Sequence, residues 1–360
     1  MKPLIGVLGA SGEVGRVAAD RIAAAGLGRL RVGGRDRAKA EKVAQELPLA
    51  ADAPPVEVQA VDLDDDEALA RFCEGCAVVV NCAGPSYRVL DRVARAAWAA
   101  GADHVDVGGE LVARDALASS ADGKRIAIFS AGVMPGLSGL LPRLLAVRPL
   151  RRMETYVGGA ARFTSISAVD ALLTRGDRFG TAQASWVDGA IRPNVLGPLR
   201  NVVLPGFPQP MQALPFLTTE AQELPAREVR AYNVFASDRI PAALTQAWAE
   251  LPVGASAEEL RPYAPDVVSA ADSDVDEYGA FYVLLVSARP EPGGPPGPGR
   301  VVMRATDSYA LSGVVMAAAA RAVLEGTLVP GSHLAAEALD PFAVAEILRA
   351  DPLVHELTVV

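Results

Sequence analysis

The sequence predicts an α/β protein built on a doubly wound parallel sheet, and two observations carry that prediction. The chain opens with an apolar run, Leu4-Ile5-Gly6-Val7-Leu8, that leads straight into glycines at 9, 12 and 15 and then a helix-forming stretch. Up to about residue 150, apolar runs of strand length then alternate with segments of helical period.

The elements can be placed in order. After the first strand, residues 30–33, 56–61, 77–82, 104–107 and 125–129 read as strands, and 14–25, 38–47, 66–73, 90–100 and 112–121 as the helices between them. The run 77–82 is almost wholly apolar, as a strand buried on both faces must be. Ligands on such sheets bind beyond the carboxyl ends of the strands, so the residues just past each strand are the informative ones.

The first turn has the order that a dinucleotide pyrophosphate needs: strand, tight glycine turn, helix. Gly9 permits the sharp turn, Gly12 leaves room for a diphosphate against the backbone, and Gly15 permits close packing. Ser11, Glu13 and Val14 complete the loop, and the helix start offers free N–H groups to phosphate. The second strand ends at Gly34-Arg35-Asp36-Arg37. A site for NAD wants a carboxylate at that strand end, to take the ribose hydroxyls. A small residue with a guanidinium after it suits a 2′-phosphate instead, so NADP(H) is favoured. Arg37 and Lys39 are further cations there, and Asp36 keeps a ribose contact open. Asp62 lies past the third strand, Cys82-Ala83-Gly84-Pro85 past the fourth and Gly108-Gly109 past the fifth. Ser130–Gly139 lies past the sixth.

With 360 residues the chain is long enough for two domains with cores of their own. The net charge of −9 and the absence of a basic stripe argue against nucleic acid as a partner. No apolar run reaches membrane-span length, and the N-terminus enters a strand directly, so neither span nor leader is expected. Three cysteines fit a reducing, cytoplasmic setting. Cys73 and Cys76 have metal-like spacing, but no second such pair and no nearby histidine supports a site, and His104, His333 and His355 are scattered; no metal is expected.

The combination Gly-Ala-Ser-Gly, Gly-Gly-Arg-Asp, Asn-Cys-Ala-Gly-Pro, Asp-Val-Gly-Gly-Glu and Pro-Gly-Leu-Ser-Gly resembles the saccharopine dehydrogenase-like reductases. The likeness covers about the first 145 residues and returns at Thr306-Asp307-Ser308-Tyr309-Ala310 and Pro330-Gly331-Ser332-His333. It implies hydride transfer between NAD(P)H and a C=N bond, and a homodimer. In size and layout the chain is similar to the thiazolinyl imine reductases of siderophore biosynthesis, which act on carrier-bound substrates of peptide synthetases.

Three domains are expected: 1–148 as the Rossmann NADP-binding domain, 149–305 as an α/β (α+β) substrate and dimerisation domain, and 306–360 as helices returning to the first. Within the second, 153–159, 227–235 and 278–288 read as strands, with a Gly/Pro turn at 291–299 joining the last of these to 300–304. A helix that carries Asp170 starts near Ser165 or Ser167. The six prolines between 198 and 225 exclude a long helix and read as a lid or binding loop.

Reduction of C=N needs a proton donor at nitrogen, and Tyr87 and Glu110, just past the fourth and fifth strands, are the catalytic candidates. Three functional readings remain open. The first is an NADPH-dependent reductase of a thiazoline held by a peptidyl carrier protein. The second is a saccharopine- or opine-type reductase of free amino-acid imines, which needs a carboxylate clamp, for which Arg162, Arg175, Arg178 and Arg192 are available. The third is a non-catalytic NADP sensor.

Overall fold

The structure, a computed structural model, describes residues 2–51, 53–120, 123–175 and 179–360. Contacts divide the chain into two compact units, 1–137 with 309–347 and 138–308 with 348–360. The expected boundaries near 148 and 305 therefore shift to 137 and 308, and the last thirteen residues join the second unit instead of the first.

The first unit begins with β1 (Leu4–Leu8), α1 (Glu13–Ala24), β2 (Arg29–Gly34), α2 (Arg37–Glu46), β3 (Glu57–Ala60), α3 (Asp66–Cys73) and β4 (Val78–Asn81). It continues through α4 (Ser86–Val89), α5 (Arg92–Ala99), β5 (Asp103–Asp106), α6 (Glu110–Ala118) and β6 (Ile126–Phe129). These six strands pair in parallel in the order β6-β5-β4-β1-β2-β3, the doubly wound arrangement that the alternation predicts. A seventh strand, Gly331–Leu334, extends the sheet beside β6 where helices alone are expected from sequence. Every residue of β1 and β4 is buried, which explains their unbroken apolar runs. Asp36 and Asp65 cap α2 and α3 by accepting from the Lys39 and Ala68 N–H groups, so both helices start where their sequences supply a carboxylate. The helix Ser308–Leu324 is buried almost all round, and its Gly313 is pressed against α1: a Cβ there would lie 2.7 Å from the Val14 carbonyl oxygen. Arg31, 9% exposed, is the main polar tie of the far sheet edge. Its guanidinium donates to the carbonyls of Phe72 and Glu74 at 2.7 Å and pairs with Glu57. Cys73 and Cys76 are core thiols beside it, pushed up to about 12 and about 11 chiefly by burial.

The second unit is a mixed sheet with helices. Its central strands are β7 (Leu150–Ala160), β12 (Met211–Thr218), β13 (Glu228–Phe235), β14 (Phe281–Pro290) and β15 (Arg300–Ala305). Between β7 and β12 come β8 (Gly180–Ala182), β9 (Ser185–Val187), β10 (Ala190–Arg192) and β11 (Leu199–Val202). β7 pairs in parallel with β13 and antiparallel with β14, and the expected hairpin β14–β15 forms. The C-terminal strand Val354–Val359 pairs with β15, which is why the chain's end belongs to this unit. The helix Ser165–Leu173 is capped by Thr164 in a reciprocal box with Ser167, a residue or more ahead of the expected cap. The proline-rich stretch contains no long helix, as expected, but it is not a loop: β11 and β12 take up much of it, and β12 pairs with β13. Pro215 fits inside β12 because its missing N–H costs that position only a donor; its carbonyl accepts from the Gln183 N–H at 3.0 Å. Among the described residues no helix is long and apolar enough to cross a membrane.

Candidate cofactor site

The β1–α1 turn has the geometry of a phosphate cradle. Gly9 adopts φ 76° and lies so close to the loop after β4 that a Cβ would come within 2.6 Å of the Ala83 nitrogen. A Cβ on Gly15 would lie 2.2 Å from the Gly9 carbonyl oxygen, so the close packing is between α1 and the turn itself. Gly12 is the cap residue of α1 and contributes no side-chain hydrogen bond, which leaves the first-turn N–H groups for an anion. Ser11, Gly12 and Glu13 are exposed, and Val14 is half-buried.

The end of β2 sorts the candidates of the 2′-phosphate pocket. A Cβ on Gly34 would meet nothing within 4 Å, so there is open space beside it. Arg35 is exposed and makes no ion pair or hydrogen bond among the described residues. Arg37 is held by Glu41 at 2.8 Å, and Lys39 lies 3.8 Å from Asp36. Asp36 accepts the Lys39 N–H at 3.1 Å as the α2 cap, a role that competes with a ribose contact. An available guanidinium next to an engaged carboxylate suits a 2′-phosphate better than a ribose diol. Asp62, past β3, accepts the Asp64 N–H at 3.0 Å and remains exposed.

The loops past β4, β5 and β6 are tied together. Ala83 N–H donates to Asn81 Oδ1 at 3.2 Å, and Gly109 N–H to Ser86 Oγ at 3.3 Å. Ser130 N–H donates to the Gly108 carbonyl at 2.8 Å, and Ala131 N–H to that of Asp106 at 2.9 Å. Val133 N–H reaches Ser312 Oγ of the long helix at 3.2 Å. Cys82, Gly84 and Pro85 belong to the first of these loops, with a cis peptide between Gly84 and Pro85. Burial, then the charge of Asp106, pushes the Cys82 thiol far above its ordinary range.

Tyr87 is the second residue of α4, and Glu110 is the first of α6, with φ 50°. The contact between Ser86 and Gly109 joins their immediate neighbours, so both candidates lie on adjacent loops of one sheet edge. His104, near the start of β5 and away from its carboxyl end, is fully buried with Nε2 3.3 Å from Asp106. Asn81 and Asp106, 1% and 3% exposed, carry no expected role, yet they are the side chains that organise these loops. For Asn81 the sequence signal is a polar residue ending an otherwise apolar strand; β5, Asp103-His104-Val105-Asp106, carries no such signal for Asp106.

Of the four arginines weighed as a carboxylate clamp, Arg162 is paired with Asp272 at 3.0 Å, and Arg175 donates to the carbonyls of Trp248 and Leu251. Arg192 is exposed, and Arg178 lies outside the described residues.

Residues 5–124 match the family model described as the saccharopine dehydrogenase NADP binding domain. No curated protein sequence matches the chain. Among solved structures, the apo histidine-tagged saccharopine dehydrogenase (L-Glu forming) from Saccharomyces cerevisiae shares the fold, with a TM-score of 0.67 at 16% identity over 99% of this chain and 100% of that one. A putative myo-inositol dehydrogenase from Sinorhizobium meliloti aligns with a TM-score of 0.49 at 10% identity over 96% and 95%. The Citrobacter triphenylmethane reductase complexed with NADP(H) aligns with a TM-score of 0.24 at 24% identity over 29% and 36%. The match over residues 5–124 is to an NADP-binding domain, and NADP(H) is the cofactor of the first unit.

Proposed function

We propose that the protein is an NADPH-dependent reductase of a C=N bond, acting on a thiazoline held by a peptidyl carrier protein. The cofactor supplies the hydride when bound. The chain's own contribution is to hold its phosphates at α1 and Arg35, and to deliver a proton to the substrate nitrogen. The α6 start, where Glu110 sits, favours negative charge, which suits a hydrogen-bond acceptor that orients the carboxamide. The proton then falls to the Tyr87 phenol.

The observation that weighs between substrates is the state of the arginines. A free amino-acid imine brings carboxylates that need guanidinium partners. Arg162 and Arg175 are already committed within the protein, which favours a substrate without carboxylates to clamp. The full-length likeness to a saccharopine dehydrogenase keeps the amino-acid imine as the second reading.

The test is NADPH oxidation with a thiazoline thioester beside a mixture of keto acid and amino acid. The proposal expects turnover of the thiazoline, loss of about 100-fold or more in kcat for Tyr87→Phe, and a smaller loss for Glu110→Gln. Turnover of the keto-acid mixture alone moves the protein to the second reading. NADPH binding without turnover of any imine moves it to the cofactor sensor.

A further inference from the structure

We propose that Asn81 and Asp106 are positioning residues for the cofactor: a buried amide–carboxylate pair that sets NADP(H) affinity without touching the cofactor. The inference rests on the assignment of NADP(H) to the first unit.

Both residues end their strands, β4 and β5, and stand opposite each other in the parallel register. Asn81 Nδ2 donates to Asp106 Oδ2 at 2.8 Å. The remaining atoms of the pair reach forward into the two loops. Asn81 Oδ1 accepts the Ala83 N–H at 3.2 Å, and its Nδ2 also lies 3.3 Å from the Ala83 carbonyl. Asp106 Oδ1 accepts the Gly108 N–H at 2.9 Å. One contact between side chains therefore fixes the spacing of two loop backbones.

The pair is costly as mere core. Asp106 is 3% exposed and has no lysine or arginine partner among the described residues. Its third contact is His104 Nε2 at 3.3 Å, and the other ring nitrogen of His104 is buried without a partner. A carboxylate buried on these terms is unfavourable unless its hydrogen bonds are needed. Those bonds hold the loop that abuts the phosphate turn: a Cβ on Gly9 would lie 2.6 Å from the nitrogen of Ala83, the same N–H that Asn81 fixes. Displacing Ala83 displaces the wall of the pyrophosphate turn. Gly108, fixed by Asp106, in turn accepts the Ser130 N–H at 2.8 Å and so carries the constraint to the loop after β6.

The donor–acceptor logic supplies a sharp test, because the pair can be exchanged. Asp106→Asn brings an amide N–H against either the Asn81 amide or the Gly108 N–H, whichever way it is turned. Asn81→Asp sets two carboxylates face to face in a buried place. The double exchange restores the bond between the two side chains and those to the Ala83 and Gly108 N–H groups; it loses the 3.3 Å contact to the Ala83 carbonyl and turns the His104 Nε2 contact into one in which the ring accepts.

Equilibrium titration of NADPH, with thermal melting alongside, reads the result. Wild type binds; Asp106→Asn weakens NADPH about tenfold or more, Asn81→Asp weakens it further, and the double variant returns to within about threefold of wild type. If Asn81→Asp does not fold, Asp106→Asn and the double variant decide the matter alone. Single variants that melt lower but bind NADPH as wild type does overturn the proposal, because the pair is then only core. A double variant no better than the weaker single variant overturns it too. A wild type that binds no NADPH contradicts the cofactor assignment itself, and the proposal falls with it.

Discussion

The two units use their strands in opposite ways. In the first, strands of four to six residues run parallel, and their value lies in the glycine and proline turns at their carboxyl ends. In the second, strands of up to eleven residues are ruled by side chains paired across the ladder. Arg152 meets Glu228 at 2.7 Å, Arg230 lies 3.5 Å from Glu154, and Tyr156 stacks on Tyr232 with centroids 4.8 Å apart. Backbone shape dictates the first unit and cross-strand chemistry the second, so their sensitivity to mutation must differ in kind.

The largest effect should come from the glycine turn. Gly15→Val forces a side chain into the Gly9 carbonyl, 2.2 Å from where its Cβ would stand. We expect a loss of about 3 kcal/mol or more in stability and no measurable NADPH binding, read by denaturant unfolding and titration. Full retention of NADPH affinity would break the claim that backbone proximity rules this unit.

Next comes Asp170, on the Ser165–Leu173 helix of the second unit. Burial pushes its carboxyl from an ordinary 3.8 up to about 7. The folded protein then binds this proton more tightly than the unfolded chain. Stability at this site should fall as pH rises from near 3.8 to about 7, and level off above. Asp170→Asn should remove that slope and stabilise the protein at pH above 7 by roughly 1–3 kcal/mol. Unfolding measured across that range with no difference between the two proteins would refute it. Weaker again is the stacked pair. A double-mutant cycle with Tyr156→Leu and Tyr232→Leu should give a coupling of about 1 kcal/mol, and a value of zero would mean that area alone matters there. The smallest effect belongs to Arg37→Ala. Its exposed pair with Glu41 should be worth about 0.5 kcal/mol or less, with NADPH affinity within about threefold of wild type.

Legibility in the sequence divides along the same line. The first unit's six leading strands, the helix 66–73 and the glycine turn all emerge from local pattern, because parallel strands buried on both faces are continuous apolar runs bounded by breakers. The seventh strand is not readable. Gly331–Leu334 is short, half-polar and defined only by its pairing with β6. In the second unit the strands β8 to β11 escape for a related reason: three or four residues carry no period, and only distant partners make them strands. β12, eight residues long, escapes because Pro215 and the prolines before it read as breakers. At the site, the loops are legible from their glycines. Asn81 and Asp106 carry no assigned role in the sequence, since what they do depends on facing each other across two strands, which one chain segment does not reveal.

The most direct test of the account is cofactor discrimination by Arg35. It stands at the β2 end beside the open space at Gly34, while its neighbour Asp36 caps α2. Titration of NADPH and NADH into wild type and Arg35→Ala should show NADPH weakened about 10- to 100-fold and NADH nearly unchanged. Equal losses for both cofactors, or none for either, would contradict the assignment of this edge to the 2′-phosphate.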